Sequence, residues 1–221
     1  MNIERITISN LLPNVFKGME TTSRIRESRI WEAPPFTFLR ACRICIRAES
    51  GGGKSSLLSF IFGSRTDYTG DILFNDKNIR EFNISQWCDI RKNSIALLPQ
   101  EMRLFPELTV IENIQLKNCL TGHKNLKEIK EMLESLGVSD KINSLVSKLS
   151  IGQQQRVALV RTFCQPFDFI FLDEPVSHLD ETNNRIVAKL IEREASKANA
   201  GIITTSVGNN LLLDSPEFIN L

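Results

Sequence analysis

Four stretches of this 221-residue sequence combine residue types and spacings that could do chemistry. The first is Ala48-Glu49-Ser50-Gly51-Gly52-Gly53-Lys54-Ser55. Consecutive glycines let a backbone pass close to phosphate oxygens and aim successive N–H groups at them. A helix starting at the same point adds about half a positive charge. Ser50, Gly51, Gly52, Gly53, Lys54, Ser55 and Ser56 therefore form a candidate nucleotide-binding set, with Lys54 reaching the β- and γ-phosphates and Ser55 reaching Mg²⁺. The full pattern, Gly-x4-Gly-Lys-Ser/Thr, has Ala48 where its first glycine belongs; if that position needs positive φ, alanine costs on the order of 1 kcal/mol.

The second stretch is Phe169-Ile170-Phe171-Leu172-Asp173-Glu174-Pro175, a continuous apolar run ending in two carboxylates. A strand apolar on both faces belongs in the middle of a parallel sheet, so the carboxylates emerge at the carboxyl edge, where open α/β folds bind ligands. The third is Gln100, placed just after the apolar run Ile95-Ala96-Leu97-Leu98 and Pro99. The fourth is Leu149-Ser150-Ile151-Gly152-Gln153-Gln154-Gln155-Arg156, in which Ser150-x-x-Gln153 is by itself a helix capping box. Cys42 and Cys45 form a C-x-x-C, but no second Cys/His pair lies nearby to complete a metal site.

The elements that must position these residues can be read from periodicity and punctuation. Ile44 to Ile46 leads into the glycine loop as a strand, and Lys54 to Phe62 leads out as a helix bearing Leu57, Leu58, Ile61 and Phe62, closed by Gly63. Ile3, Ile6 and Ile8 suggest a first strand over Asn2 to Ser9, and Trp31, Phe36 and Phe38 another before the loop. Trp31 or Phe16 could stack on an adenine base. Tyr68-Thr69-Gly70 reads as a turn into a strand over Asp71 to Phe74, and Asn75-Asp76 as a hairpin turn, giving an antiparallel layer added to a parallel core.

Residues 101 to about 166 read as mainly helical. Thr109 opens one helix, and Asn125 opens another with Leu126, Ile129, Leu133 and Leu136 as its apolar stripe. Asp180 caps a helix with Ile186, Val187, Leu190 and Ile191 inward, Gly201 restarts a strand, and Leu211 to Leu213 and Phe218 to Leu221 read as one or two edge strands.

Bulk composition narrows the function classes. Lys plus Arg 27 against Asp plus Glu 26 leaves +1, without the basic excess of a dedicated nucleic-acid binder. No apolar run reaches the roughly 18 residues of a spanning helix, which places the chain in the cytosol or docked on a membrane through another protein. Five cysteines with no framework spacing suit a reducing compartment.

In order along the chain, a glycine loop, a strand-terminal glutamine, Leu-Ser-x-Gly-Gln-Gln-Gln-Arg and an apolar strand ending Asp-Glu-Pro resemble the ATPase subunit of ATP-binding cassette (ABC) transporters, over about residues 40 to 206. The compact length is similar to lipoprotein-release and macrolide-export ATPases. The resemblance implies an α/β P-loop NTPase fold: a mixed, mainly parallel core sheet, an antiparallel β layer, and one domain over residues 1–221 with a helical subdomain at about 101–166. It implies ATP and Mg²⁺ as cofactors. Glu174 becomes the general base, Asp173 a Mg²⁺ holder, and Gln100 the sensor of Mg²⁺ and γ-phosphate. Ser150, Gly152 and Gln153 would face the ATP of an opposite subunit in a homodimer or heterodimer of cassettes. Asp180 would lie in the loop that crosses the interface, and Leu104 to Leu108 would contact a permease on a separate chain, with no nucleic acid involved. The chain would then be peripheral, on the cytoplasmic face of the inner or plasma membrane.

Three positions depart from the family pattern: Ala48, Ile151 where the signature has glycine, and Ser206 where a histidine usually meets the γ-phosphate. They motivate a second reading, a nucleotide-gated module with slow or no hydrolysis.

Overall fold

The computed structural model describes residues 1–19, 22–31 and 33–221. Five strands, β3 (Arg43–Arg47), β6 (Ile95–Leu98), β7 (Phe169–Asp173), β8 (Gly201–Ser206) and β9 (Glu217–Asn220), make a parallel sheet in the order β6-β7-β8-β3-β9. Four more, β1 (Arg5–Pro13), β2 (Phe36–Leu39), β4 (Tyr68–Phe74) and β5 (Lys77–Asn78), make an antiparallel layer in the order β2-β1-β4-β5. The helices are α1 (Ser23–Arg26), α2 (Lys54–Ile61), α3 (Ile84–Asn93), α4 (Val110–Asn118), α5 (Leu126–Ser135), α6 (Ile151–Thr162) and α7 (Glu181–Ala198).

Every residue of β7 is buried, and its alternation divides two cores. Phe169 and Phe171 join Ile203, α2 residues Leu57, Leu58 and Ile61, and the antiparallel layer. Ile170 and Leu172 join Ile202 and the inner faces of α4, α5, α6 and α7. That two-sided burial is why β7 is apolar throughout, and why it delivers Asp173 to the sheet's carboxyl edge at a fixed height, paired with Thr205 of β8.

Caps set the helix starts, as the sequence suggests at Thr109, Asn125, Ser150 and Asp180. Asn83, Thr109, Asn125 and Ser150 each form a full capping box, and Asp180 accepts from the Asn183 N–H.

Four expectations are corrected. Gly70 lies within β4 and not in a turn: its φ is +83°, and a Cβ there would come within 2.2 Å of the Asn10 carbonyl oxygen, where β1 bulges between Ser9 and Leu12. Leu126 is exposed, and Met132 takes the buried place on α5. Ile186 is only partly covered on α7. Leu211 to Leu213 form no strand; β9 alone closes that edge of the sheet.

Candidate active site

The glycine loop runs between β3 and α2 with Gly51 at φ +76° and Gly53, the α2 N-cap, at φ +92°. These left-handed positions are what require glycine. Ala48 is not among the positive-φ residues, so the departure from pattern carries no backbone penalty. Its methyl occupies room that exists because Gly52 has none: a Cβ on Gly52 would sit 2.7 Å from that of Ala48.

Trp31 packs beneath the loop. It is 1% exposed, its indole Nε1 donates to the Gly52 carbonyl at 3.3 Å, and a Cβ on Gly53 would lie 2.9 Å from its ring. Trp31 therefore braces the loop from within the core and does not present a face for adenine. Phe16, set edge-on to Trp31, lines the rim of the groove above the loop, beside exposed Val15.

That groove, about 470 Å³, is lined by Phe16, Ser50, Lys54, Ser55, Gln100 and Glu174 among others. Lys54 is 5% exposed; its Nζ donates to the carbonyls of Ala48 (3.0 Å) and Glu49 (3.1 Å) and lies 3.8 Å from Glu174 Oε1. Gln100 Nε2 reaches Glu174 Oε2 at 3.4 Å. Strand ends β6 and β7 and helix α2 thus bring Gln100, Glu174 and Lys54 together at one point. Asp173 is buried just behind, its Oδ1 accepting from the Thr205 hydroxyl at 2.7 Å.

Ser206 does not join this constellation. It is 2% exposed and its hydroxyl donates to Asn210 Oδ1 at 2.6 Å, with Cys45 Sγ 3.7 Å away. Side chains alternate along β8, so Thr205 faces the carboxylates and Ser206 faces a second hollow, beside Arg47 and Asn220. Val207, the next residue, is the one that lines the phosphate groove.

Ser150, Gly152 and Gln153 sit at the start of α6 and do not line the groove of their own chain. Ser150 and Ile151 are exposed. Gly152 lies against the loop before α7: a Cβ there would be 3.4 Å from Leu179 and 3.5 Å from the His178 carbonyl. Asp180 in that loop caps α7, and its carboxyl is held below the usual range, first by the hydrogen bond from the Asn183 N–H and then by the Asn183 side chain.

The residues that sequence reasoning missed are those that hold the others. Thr205 is one. Gln155 is another, its Nε2 donating to the Glu174 carbonyl at 3.1 Å. Asn209 ties the segment after β8 to the loop before α7 through the Val176 and Leu179 carbonyls. Only the parallel register of β7 and β8 could have pointed to Thr205, and a register is not written in either strand alone.

On another side of Gln100, a cleft of about 260 Å³ is lined by Phe62, Pro99, Arg103, Leu116, Lys117 and Arg161 among others. Arg161 donates to the carbonyls of Met102 and Arg103, both at positive φ, and burial lowers its pKa and that of Lys117. Phe105 stands exposed in the adjoining loop. Burial pushes the Cys42 thiol up to about 12 and also raises Cys45, so neither is a ready thiolate.

Comparison with known proteins agrees with this geometry. The family profile described as ABC transporter matches residues 35–177. An ABC transporter ATP-binding protein of Bacillus subtilis, YtrE, is 32% identical over 67% of this chain and 66% of its own length. A lipoprotein-releasing system ATP-binding protein of Shewanella denitrificans, LolD, is 26% identical over 88% of this chain and 85% of its own. The dimeric structure of a bacterial ABC transporter cassette superposes with a TM-score of 0.79, covering 97% of this chain and 94% of that one at 20% identity. With the glycine loop, the Asp-Glu strand end and the strand-terminal glutamine in their places, this chain belongs to the ABC transporter family, as one of its ATPase cassettes.

Proposed function

We propose that this chain binds Mg-ATP in the groove above the glycine loop, closes on a second cassette, and hydrolyses the nucleotide to drive a permease carried on a separate chain. The observation that carries the reading is the convergence of Lys54 and Gln100 on Glu174: a cation 3.8 Å and an amide 3.4 Å from one carboxylate, at the mouth of a loop of N–H donors. Phosphoryl transfer leaves a protein mainly positioning and charge stabilisation to supply.

In this reading the loop amides and Lys54 hold the β- and γ-phosphates, with Lys54 exchanging its carbonyl contacts for phosphate oxygens. Glu174 orients the attacking water and takes its proton. The residues present suit Mg²⁺: the Ser55 hydroxyl, the Gln100 amide oxygen and the Asp173 carboxylate are hard oxygen donors, and Thr205 donating to Asp173 fixes that carboxylate as an acceptor. Mg²⁺, when bound, neutralises charge that builds on the phosphate oxygens.

Ser150, Gly152 and Gln153, outside their own groove, would in this reading complete the partner's, with Asp180 in the interface loop beside them. Residues 101–166 act as the helical subdomain inserted in the nucleotide-binding core. The cleft beside Gln100 and the Leu104 to Leu108 loop would receive the permease, and the lack among the described residues of a helix long and apolar enough to cross a membrane leaves that crossing to the partner. The chain would work at the cytoplasmic face.

The test is hydrolysis of Mg-ATP by wild type and Glu174→Gln, with light scattering at the same ATP concentration. Turnover by wild type, lost in Glu174→Gln together with accumulation of an ATP-bound dimer, is the expected result. Equal turnover by both proteins would remove Glu174 from the chemistry.

A further inference from the structure

Glu174 has φ +49°, a left-handed backbone that non-glycine residues rarely adopt, and it precedes Pro175, which pushes its neighbour toward extended conformations. Such a conformation persists only where the surroundings over-determine it. Besides the Ser177 N–H, which closes a turn onto the Glu174 carbonyl at 3.3 Å, two buried side chains from different elements do so here. The Glu174 N–H donates to Thr205 Oγ1 at 3.1 Å, and the Glu174 carbonyl accepts from Gln155 Nε2 at 3.1 Å. Thr205 is 1% exposed on β8, and Gln155 is 4% exposed on α6.

Each bond has one possible sense. The single Thr205 hydroxyl proton goes to Asp173 Oδ1, so its oxygen is left to accept from Glu174. Only the amide nitrogen of Gln155 can donate to a carbonyl, and its Oε1 is buried with no hydrogen-bond partner among the described residues. Burying an amide with one end unmet opposes stability, so folding alone gives no reason for glutamine at 155.

We propose that Thr205 and Gln155 are positioning residues that clamp the Glu174 peptide in its left-handed conformation and thereby aim its carboxylate at the reacting centre. This rests on the reading of Glu174 as the base. The clamp has a further consequence. Gln155 lies five residues from Ser150, about 7.5 Å along the axis of α6, so a shift of that helix end bears directly on the Glu174 backbone. The same helix would thus face the partner's nucleotide with its tip and hold its own chain's base with its second turn. Thr205, unlike Gln155, also holds Asp173, which separates the two arms of the clamp experimentally.

The experiment compares wild type, Glu174→Gln, Thr205→Val, Thr205→Ser and Gln155→Leu. It reads steady-state ATP hydrolysis, ATP affinity by equilibrium binding, the Mg²⁺ concentration giving half-maximal rate, and thermal midpoint. In Thr205→Val and Gln155→Leu, kcat should fall about tenfold or more with ATP affinity and KM within about twofold of wild type. Thr205→Ser should restore most of the rate. Half-saturating Mg²⁺ should rise several-fold, roughly, in Thr205→Val and stay put in Gln155→Leu. If either does not fold, Thr205→Cys and Gln155→Glu, which keep size while removing the strong hydroxyl or the amide donor, take its place. Wild-type kcat in folded Thr205→Val and Gln155→Leu, while Glu174→Gln is inactive, would overturn the clamp and leave the base reading intact. An active Glu174→Gln would remove the base, and the clamp with it.

Discussion

Ala48 and Gly53 differ in what their backbones ask of them. Ala48 lies outside the left-handed region, and its methyl fills space beside Gly52; Gly53, at φ +92° and pressed against Trp31, has neither the conformation nor the room for a side chain. Ala48→Gly should leave ATP affinity within about twofold of wild type, since only unfolded-state entropy changes appreciably. Gly53→Ala should lose about 1–2 kcal/mol of stability from the left-handed strain alone and abolish measurable nucleotide binding, read by thermal unfolding with and without ATP. The sequence was legible here as a motif and illegible as a conformation. The glycine pattern named the loop, but which glycine needs positive φ depends on how the chain leaves β3, which is settled only in the folded chain. Ser206 teaches the same lesson. Its place in the motif order suggested a γ-phosphate contact, whereas strand alternation turns it toward Asn210 and leaves Val207 at the groove.

At the level of elements, helix starts were the most readable feature, because a cap is a local bond between residues three apart. Strand β7 was equally plain, its apolar run reporting two-sided burial. What could not be read was pairing between elements distant in sequence: the bulge that receives Gly70, the register that sets Thr205 against Asp173, and the ion cluster joining the segment just before α5 to α7. In that cluster Glu194, with its side chain 3% exposed, meets Lys124 at 2.8 Å, Lys197 at 2.9 Å and Arg193 at 3.1 Å. Burial acts to raise its pKa, but the hydrogen bonds and charges of Lys124 and Lys197 outweigh it and hold Glu194 at about 2, below its ordinary 4.5. A depressed carboxylate stabilises the fold above its unfolded pKa and loses that contribution as pH falls through the folded value. Glu194→Gln should therefore cost about 3 kcal/mol near neutrality, chiefly by leaving buried Lys124 with only the more distant Glu128, at 3.9 Å, as counter-charge. The gap to wild type should narrow between pH 4.5 and about 2, as followed by denaturant unfolding across that range.

For the whole molecule, the two cores on either side of β7 divide the labour: one seats the glycine loop on the antiparallel layer, the other carries α6 and the helices around it. The sequence order of motifs disclosed this plan, since each motif falls at a strand end or a helix start, where such folds keep their chemistry. It did not disclose that Trp31, from a stretch broken by prolines and hard to read, would become the floor of the nucleotide loop. That placement makes the protein its own optical probe. There are two tryptophans, Trp31 and Trp87, and Trp87 packs on Gly63 at the far end of α2. With Trp87 replaced by phenylalanine, the remaining indole reports through its N–H on the Gly52 carbonyl. Its emission should shift in wavelength or intensity when Mg-ATP draws the loop around its phosphates, and stay unchanged with adenosine, which lacks them, giving an unlabelled readout of loop closure on the millisecond scale.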